Sequence, residues 1–276
     1  MRYEDQVRRA RAFHDLHQGP AFLLPNAWDP ISALILAKEG FPAVATTSGG
    51  MSWALGFADG EQAPWPEVVK AVERIANVLP APLSADIEGG YAESAHELHD
   101  RVVEVVGAGA VGFNIEDRQG DGVRELEDAC ARIAAARAAV ERTGVQVFVN
   151  ARTDIFNLFG VSEQSEEEAG RRVAAYVEAG ASGVFLFGLS DLAILKRMAS
   201  ATPVPLNVVG RPGGPSFEAF SSAGARRVSI AAGLALHAYG AARSTAARLR
   251  ESADFDSLRS DFNRAQAQAL TSRPND

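Results

Sequence analysis

Leu83-Ser84-Ala85-Asp86-Ile87-Glu88-Gly89-Gly90-Tyr91, Phe113-Asn114-Ile115-Glu116-Asp117 and Phe148-Val149-Asn150-Ala151-Arg152-Thr153-Asp154 share one plan, a short apolar run that ends in acid. In a barrel of parallel strands the carboxyl ends open onto one face, so acids at three strand ends meet around one point. A single such acid reads as a helix cap or a solvated loop residue; three together read as a site. Oxygen donors without thiols select a hard divalent cation. Magnesium suits this donor set, held by a few carboxylates, waters and the substrate's own oxygens, with manganese as the alternative. Arg152, the lone cation in these segments, supplies a fixed positive charge for a carboxylate or phosphonate.

Outward from these segments, short runs rich in Val, Ile, Phe and Ala alternate about eight times with long Ala/Glu/Arg stretches of helical period. The pattern predicts an α/β chain folded as a (β/α)8 TIM barrel, one domain over residues 1–276. The expected strands are Ala21–Leu24, Ala43–Thr47, Leu83–Ile87, Gly112–Glu116, Gln146–Asn150, Gly183–Phe187, Pro205–Val209 and Arg227–Ala231. Helices are expected between them, with Gly40, Gly107, Gly144, Gly180 and Gly224 at their exits. Beyond the eighth strand, Gly233–Arg250 reads as one helix and residues 254–271 as an extra C-terminal helix that a plain barrel does not require. That helix packs on its own barrel or on a neighbouring subunit, which would make the chain an oligomer. Ser272–Asp276 reads as a disordered tail. The rival, a doubly wound sheet, lacks its signature: neither Ser48-Gly49-Gly50 nor Arg211-Pro212-Gly213-Gly214 matches a dinucleotide or P-loop fingerprint.

With 276 residues and 47% apolar content the chain can bury a full core. A net charge of -8 without a Lys/Arg block gives no electrostatic basis for a nucleic-acid partner or an acidic membrane, so the expected partner is a small molecule. The apolar stretches are strand-length and the N-terminus lacks a signal-peptide core, which reads as cytoplasmic. Cys130, the single cysteine, is expected to be a small buried residue. His14, His17, His96 and His99 are expected to be solvated, and Asp29, ahead of Pro30, to cap the first barrel helix.

After the second strand, Thr46-Thr47-Ser48-Gly49-Gly50 sets hydroxyls and unhindered N–H groups at the same face, a turn able to hold a carboxylate. Asp59 follows in the next loop as a turn residue or an acid that orients metal-bound water. Together with Pro25-Asn26-Ala27-Trp28-Asp29 and Asn207, in this order along the chain, these segments resemble the isocitrate lyase/phosphoenolpyruvate mutase superfamily over roughly residues 20 to 210.

The resemblance implies a magnesium-dependent barrel that binds 2-oxo acids or their enolates and makes or breaks a C–C or P–C bond beside the carbonyl. It implies Asp86 as the direct metal ligand, with Asp59, Glu88 and Glu116 holding the ion's water shell. It also implies Ser48, Gly49 and Gly50 as the carboxylate-binding turn, and Arg152 as the cation facing substrate. Asn207 is carried over as a substrate-binding residue. A C-terminal helix swapped between subunits, giving a homo-oligomer (a dimer or tetramer), is also implied. Arg152, Asp59, Glu116 and Tyr91 are the catalytic candidates, Tyr91 as the proton donor.

Three departures narrow the chemistry. Isocitrate and methylisocitrate lyases carry a long Cys-containing loop after the fourth strand, whereas here Asp117-Arg118-Gln119-Gly120-Asp121-Gly122-Val123 leads almost directly into a helix and holds no cysteine. Phe187 stands at the sixth strand end, where lyases of branched malates tend to carry Glu, and Glu88 stands where many relatives have Asp. The expectation is therefore a carbon–carbon lyase of the oxaloacetate decarboxylase kind. The alternatives are a phosphonopyruvate mutase or hydrolase and a non-catalytic 2-oxo acid binding protein, 2-oxoglutarate being one such ligand.

Overall fold

A computed structural model describes residues 1–272, so the last four residues of the expected Ser272–Asp276 tail lie outside the described residues. The barrel closes through a split strand. β1 (Phe22–Leu24) and β2 (Asn26–Ala27) flank Pro25, which has no N–H to give to a ladder. The Pro25 carbonyl still accepts from Ala45 N–H at 2.8 Å. Next come β3 (Val44–Thr46), β4 (Leu83–Asp86), β5 (Gly112–Glu116), β6 (Arg118–Gln119), β7 (Gly122–Val123), β8 (Phe148–Thr153), β9 (Gly183–Leu186), β10 (Leu206–Val209) and β11 (Arg227–Ser229). The main sheet runs β1-β11-β10-β9-β8-β5-β4-β3-β2 with every pairing parallel, and the two halves of the first strand join its ends. The expected (β/α)8 barrel is thus the fold.

The helices are α1 (Tyr3–Gln18), α2 (Pro30–Lys38), α3 (Ser48–Leu55), α4 (Trp65–Val78), α5 (Ala95–Gly107), α6 (Leu126–Thr143), α7 (Ile155–Phe159), α8 (Glu163–Glu178), α9 (Leu192–Ala201), α10 (Phe217–Ser222), α11 (Gly233–Ser252) and α12 (Arg264–Thr271). Asp29 caps α2 as expected, its carboxylate accepting from Ser32 N–H at 2.7 Å while Ser32 Oγ accepts from Asp29 N–H. The strand expected at Gln146–Asn150 lies further on, at Phe148–Thr153, which carries Arg152 onto the strand itself.

Three expectations are corrected. The N-terminal segment is a helix, α1, whose buried Gln6, Ala10, Phe13 and His17 recur at helical spacing. His17 is therefore not solvated: it is 3% exposed, stacks on Phe148 with ring centroids 3.8 Å apart, and donates through Nδ1 to the Phe13 carbonyl. His14 is likewise half-buried, its ring 5.1 Å from that of Phe148. The extra C-terminal element over 254–271 is not one helix. A 3-10 turn, Phe255–Leu258, is followed by an irregular stretch, and α12 starts afresh at Asn263, whose side chain forms a reciprocal cap with Gln266. A continuous helix would forgo both caps, Asp254 on the turn and Asn263 on α12. α12 lies against α2.

A polar layer crosses the barrel interior. Asn150 Nδ2 donates to Asn114 Oδ1 (2.8 Å) and Asn207 Oδ1 (3.2 Å), and the buried Arg227 reaches the same Asn114 oxygen at 3.1 Å. Cys130 is half-buried. Among the described residues no helix is long and apolar enough to cross a membrane.

Candidate functional site

Parallel register decides what meets at the open end of the barrel. Glu116 of β5 is the direct register partner of Arg152 of β8, so the two side chains share a face, and Arg152 Nη1 lies 2.6 Å from Glu116 Oε2. The other edge of the guanidinium contacts Asp154, with Nε 2.7 Å from Oδ2 and Nη2 donating to Oδ1 at 2.9 Å. Its flat face rests on Phe187, 3.7 Å from the ring centroid. Burial weighs against the Arg152 charge, but Glu116, Asp154 and Asp86 more than offset it and keep the group cationic. Burial pushes the Glu116 carboxyl up to about 8 against the pull of Arg152.

Asp86 ends β4 with its N–H donated to Thr46 Oγ1 at 2.8 Å. Burial raises its carboxyl above the ordinary carboxylate range, opposed by Arg152 and by the Glu88 N–H, and reinforced by Asp59. Asp59 reaches the same place from the loop after α3. A Cβ on Gly49 would lie 3.1 Å from Asp59 Oδ2, so the missing side chain is what lets this acid approach the first turn of α3. At Gly50 an added Cβ would lie 2.7 Å from Thr47 Cγ2 and 2.8 Å from Trp28 Cβ, which demands glycine. Thr47 caps α3, leaving Ser48, Gly49 and Gly50 as its first turn.

Glu88 is buried and both its oxygens are engaged: Oε1 accepts from Tyr91 O–H at 2.5 Å and Oε2 from Glu61 N–H at 2.8 Å. Glu61 in turn accepts from Tyr91 N–H at 2.6 Å, closing a ring of three residues. All three have left-handed backbones, with φ 59° at Glu61, 51° at Glu88 and 52° at Tyr91. Each such residue costs on the order of 1 kcal/mol, and the ring of hydrogen bonds holds them there. Burial pushes the Glu88 carboxyl up to about 7, with Asp59 and Asp86 adding to the rise and the Tyr91 hydrogen bond opposing it. Burial and the neighbouring Glu88 raise the Tyr91 hydroxyl as well, so it keeps its proton.

A cavity of about 470 Å³ is lined by Ser48, Asp59, Glu88, Glu116 and Arg152, together with the hairpin of β6 and β7. The structure thus brings five of the expected site residues onto one cavity, with Asp86, Gly49 and Gly50 beside it. Tyr91 stands behind Glu88 and lines a neighbouring cavity instead. Asn207 is not at the site. It is 1% exposed in the barrel interior, its amide spent on Val208 O, Arg227 O and Ser229 Oγ.

Among the described residues no three acids form a preformed metal cage, because Arg152 engages Glu116 and the Tyr91–Glu61 ring engages Glu88. A magnesium site does not need such a cage; one or two carboxylates, waters and substrate oxygens are enough. Four carboxylates crowd this face, and three of them, Asp86, Glu88 and Glu116, are pushed upward by burial and by one another. That is a donor set short of cationic charge, and it fits a hard divalent ion.

Two features escaped the sequence reading. Asp117 is a buried tie, accepting from Tyr176 O–H at 2.6 Å and Asp154 N–H at 3.0 Å and pairing with Arg172 at 3.2 Å. The short segment after Asp117 is an antiparallel hairpin, in which Arg118 pairs with Val123 and Gln119 with Gly122. The Gly120-Asp121-Gly122 turn was its only local signal.

The family model described as phosphoenolpyruvate phosphomutase matches residues 13–250. An uncharacterized protein of Mycobacterium tuberculosis is 36% identical over 203 residues, 73% of this chain and 75% of that protein. The oxaloacetate decarboxylase of Pseudomonas putida is 30% identical over 230 residues, 79% of this chain and 76% of that enzyme. A crystal structure from Burkholderia cenocepacia, provisionally described as a lyase or mutase, superposes with a TM-score of 0.91 at 28% identity, covering 99% of this chain and 98% of its own.

Proposed function

The chain belongs to the phosphoenolpyruvate phosphomutase family, within the isocitrate lyase/phosphoenolpyruvate mutase superfamily, and from that footing we propose that it is a magnesium-dependent carbon–carbon lyase acting on a small 2-oxo acid, in the manner of an oxaloacetate decarboxylase. The observation that carries this reading is the placement of Arg152, locked by Glu116, Asp154 and Phe187 beside the Asp59, Asp86 and Glu88 carboxyls. A fixed cation beside an acid cluster suits a reaction that develops negative charge next to a carboxylate.

Asp86 would hold the ion directly, with Asp59, Glu88 and Glu116 holding its waters. When bound, magnesium supplies Lewis-acid polarisation of the 2-oxo group. The Ser48–Gly50 turn receives the substrate carboxylate, and Arg152 faces the charge that develops as the bond breaks. In the reaction the C3–C4 bond of a substrate such as oxaloacetate breaks, its electron pair passes to the 2-oxo group, carbon dioxide leaves, and C3 takes up a proton to give pyruvate. Glu88 faces the cavity with a carboxyl that burial pushes up to about 7, backed by the Tyr91 hydroxyl, and this pair is our candidate proton source. The absence of cysteine from the β6–β7 hairpin favours this reaction over tricarboxylate cleavage.

We further propose a homo-oligomer, a dimer or a tetramer. α11 exposes Leu236 and Tyr239, and the segment after it exposes Phe255, Leu258 and Phe262, an apolar surface that suits a second copy of the chain.

The test is pyruvate release from oxaloacetate with magnesium, measured against the metal-only background. An EDTA-sensitive rate above that background supports the lyase. Phosphate release or rearrangement with phosphonopyruvate would move the assignment to P–C chemistry. Metal-dependent binding without turnover of any 2-oxo acid would leave a binding protein.

A further inference from the structure

The buried face of α6 is apolar at every position but one. Ala129, Ile133, Ala136, Ala139 and Val140 recur at helical spacing, and Arg132 stands among them with 2% of its surface exposed. Its hydrogen bonds go to main-chain carbonyls alone: Nη2 donates to Gly89 O at 2.6 Å and to Ala92 O at 3.0 Å, while Nε and Nη1 are buried without a partner among the described residues. Burying a guanidinium from which no carboxylate accepts is costly. Every hydrogen bond that offsets this cost lies on one loop.

That loop is the one that carries Glu88 and Tyr91. Its backbone is left-handed at Glu88 (φ 51°), Gly90 (φ 101°) and Tyr91 (φ 52°), a run that persists only where its surroundings over-determine it. The near half is tied locally, since Ile87 O accepts from Gly90 N–H at 2.8 Å and Glu88 O from Glu116 N–H at 2.9 Å. Arg132 supplies the donors for the far half. Gly90 is enclosed between two helices: a Cβ there would run into Leu98 Cδ1 of α5 and lie 3.7 Å from Arg132 Nη2. Arg132 also lines a narrow cleft with Glu116 and Arg152, directly behind the site.

We propose that Arg132 is a positioning residue for the reaction: by holding the Gly89 and Ala92 carbonyls it keeps the loop in the one form that brings the Tyr91 hydroxyl onto Glu88 at the cavity. The inference rests on the reading of Glu88 and Tyr91 as the proton source. It adds a residue that touches no substrate and acts through the main chain.

Arg132→Met tests it. Methionine suits the apolar face of α6 and strands no charge, because Arg132 has no carboxylate partner to leave behind, so the unfolding midpoint is expected to hold. Amide hydrogen exchange reads the loop directly: the N–H groups of Glu61 and Tyr91, which donate to Glu88 and Glu61, are expected to exchange at least tenfold faster, with the β8 amides unchanged. For oxaloacetate with magnesium, kcat above the metal-only background is expected to fall about tenfold or more while KM stays within about threefold. Arg132→Lys, which keeps a charged donor, is expected to recover part of both losses. Unchanged exchange at Glu61 and Tyr91, or faster exchange there with unchanged kcat, overturns the proposal. So does a loss of kcat that comes with a lower unfolding midpoint and faster exchange in β8, which is general damage. No turnover by the unaltered chain overturns the lyase reading and with it the effect on the reaction. The exchange comparison needs no substrate and still decides whether Arg132 holds the loop.

Discussion

The Arg152 guanidinium lies flat on the Phe187 ring, its carbon 3.7 Å from the ring centroid. The aromatic fixes the plane of the cation while Glu116 and Asp154 fix its edges, so no rotamer search is needed when an anionic substrate arrives. Phe187→Leu keeps apolar bulk but removes the ring's negative face. A desolvated cation–π contact is worth about 2 kcal/mol, so oxalate affinity measured with magnesium should fall about tenfold or more. Unchanged affinity would mean that the two carboxylates alone orient Arg152.

Removing the cation itself should be felt in stability. Arg152→Gln leaves Glu116 and Asp154 facing each other without their shared counter-charge in a buried place. Breaking one side of a buried ion pair costs about 3–5 kcal/mol, read as a lower midpoint in a denaturant titration. If Asp154→Asn on the same background recovers part of the loss, the cause is the stranded charge.

At the carboxylate turn, two adjacent glycines should respond differently. Gly50→Ala drives a methyl against Thr47 and Trp28, both held by packed backbone, and is expected to destabilise by about 1–3 kcal/mol. Gly49→Ala meets two side chains, Asp59 Oδ2 at 3.1 Å and Trp53 Cζ2 at 3.3 Å, and should cost less stability than Gly50→Ala while weakening magnesium-dependent oxalate binding. Equal effects of the two changes on the unfolding midpoint would contradict the packing described.

Tyr91→Phe removes a hydrogen bond that pulls the Glu88 carboxyl down, so the Glu88 titration should move to higher pH. In a lyase that uses protonated Glu88 as its proton source, the basic limb of the activity profile moves in the same direction. An unmoved limb in a folded variant would remove Glu88 from the ionisations that control turnover.

His17 makes stability depend on pH independently of the site. Burial first, and then Arg227, lower its pKa from 6.5 to about 3. The unfolded chain therefore binds this proton more readily than the folded chain between those values. Its contribution is fully present above about pH 6.5 and is lost progressively as pH falls toward 3. The loss reaches about 2 kcal/mol by pH 5. His17→Phe should flatten that part of the stability profile in denaturant titrations, and an unchanged slope would show that His17 is not held neutral.

Much of this was legible in the sequence because it is local. Eight apolar runs alternating with helical segments dictate a barrel, since short buried parallel strands need helices to cover them. The acids at the ends of the third, fourth and fifth strands follow from the same pattern, because strand direction alone sends them to one face. What a side chain does after arriving there depends on neighbours distant in the chain. Asn207 sits one strand over from Arg227 and Ser229 and spends its amide inside the barrel, so a motif match could not tell interior from mouth. Glu88, expected as a metal-shell acid, is also the centre of a clamp closed by Glu61, 27 residues away. His17 becomes a core residue only because α1 packs against β8 and brings Phe148 to it. The sequence by itself determined which strands form and which acids share a face, because those follow from period and polarity. Only the tertiary structure decided which of those acids are already paired, because pairing is set by register and packing between strands.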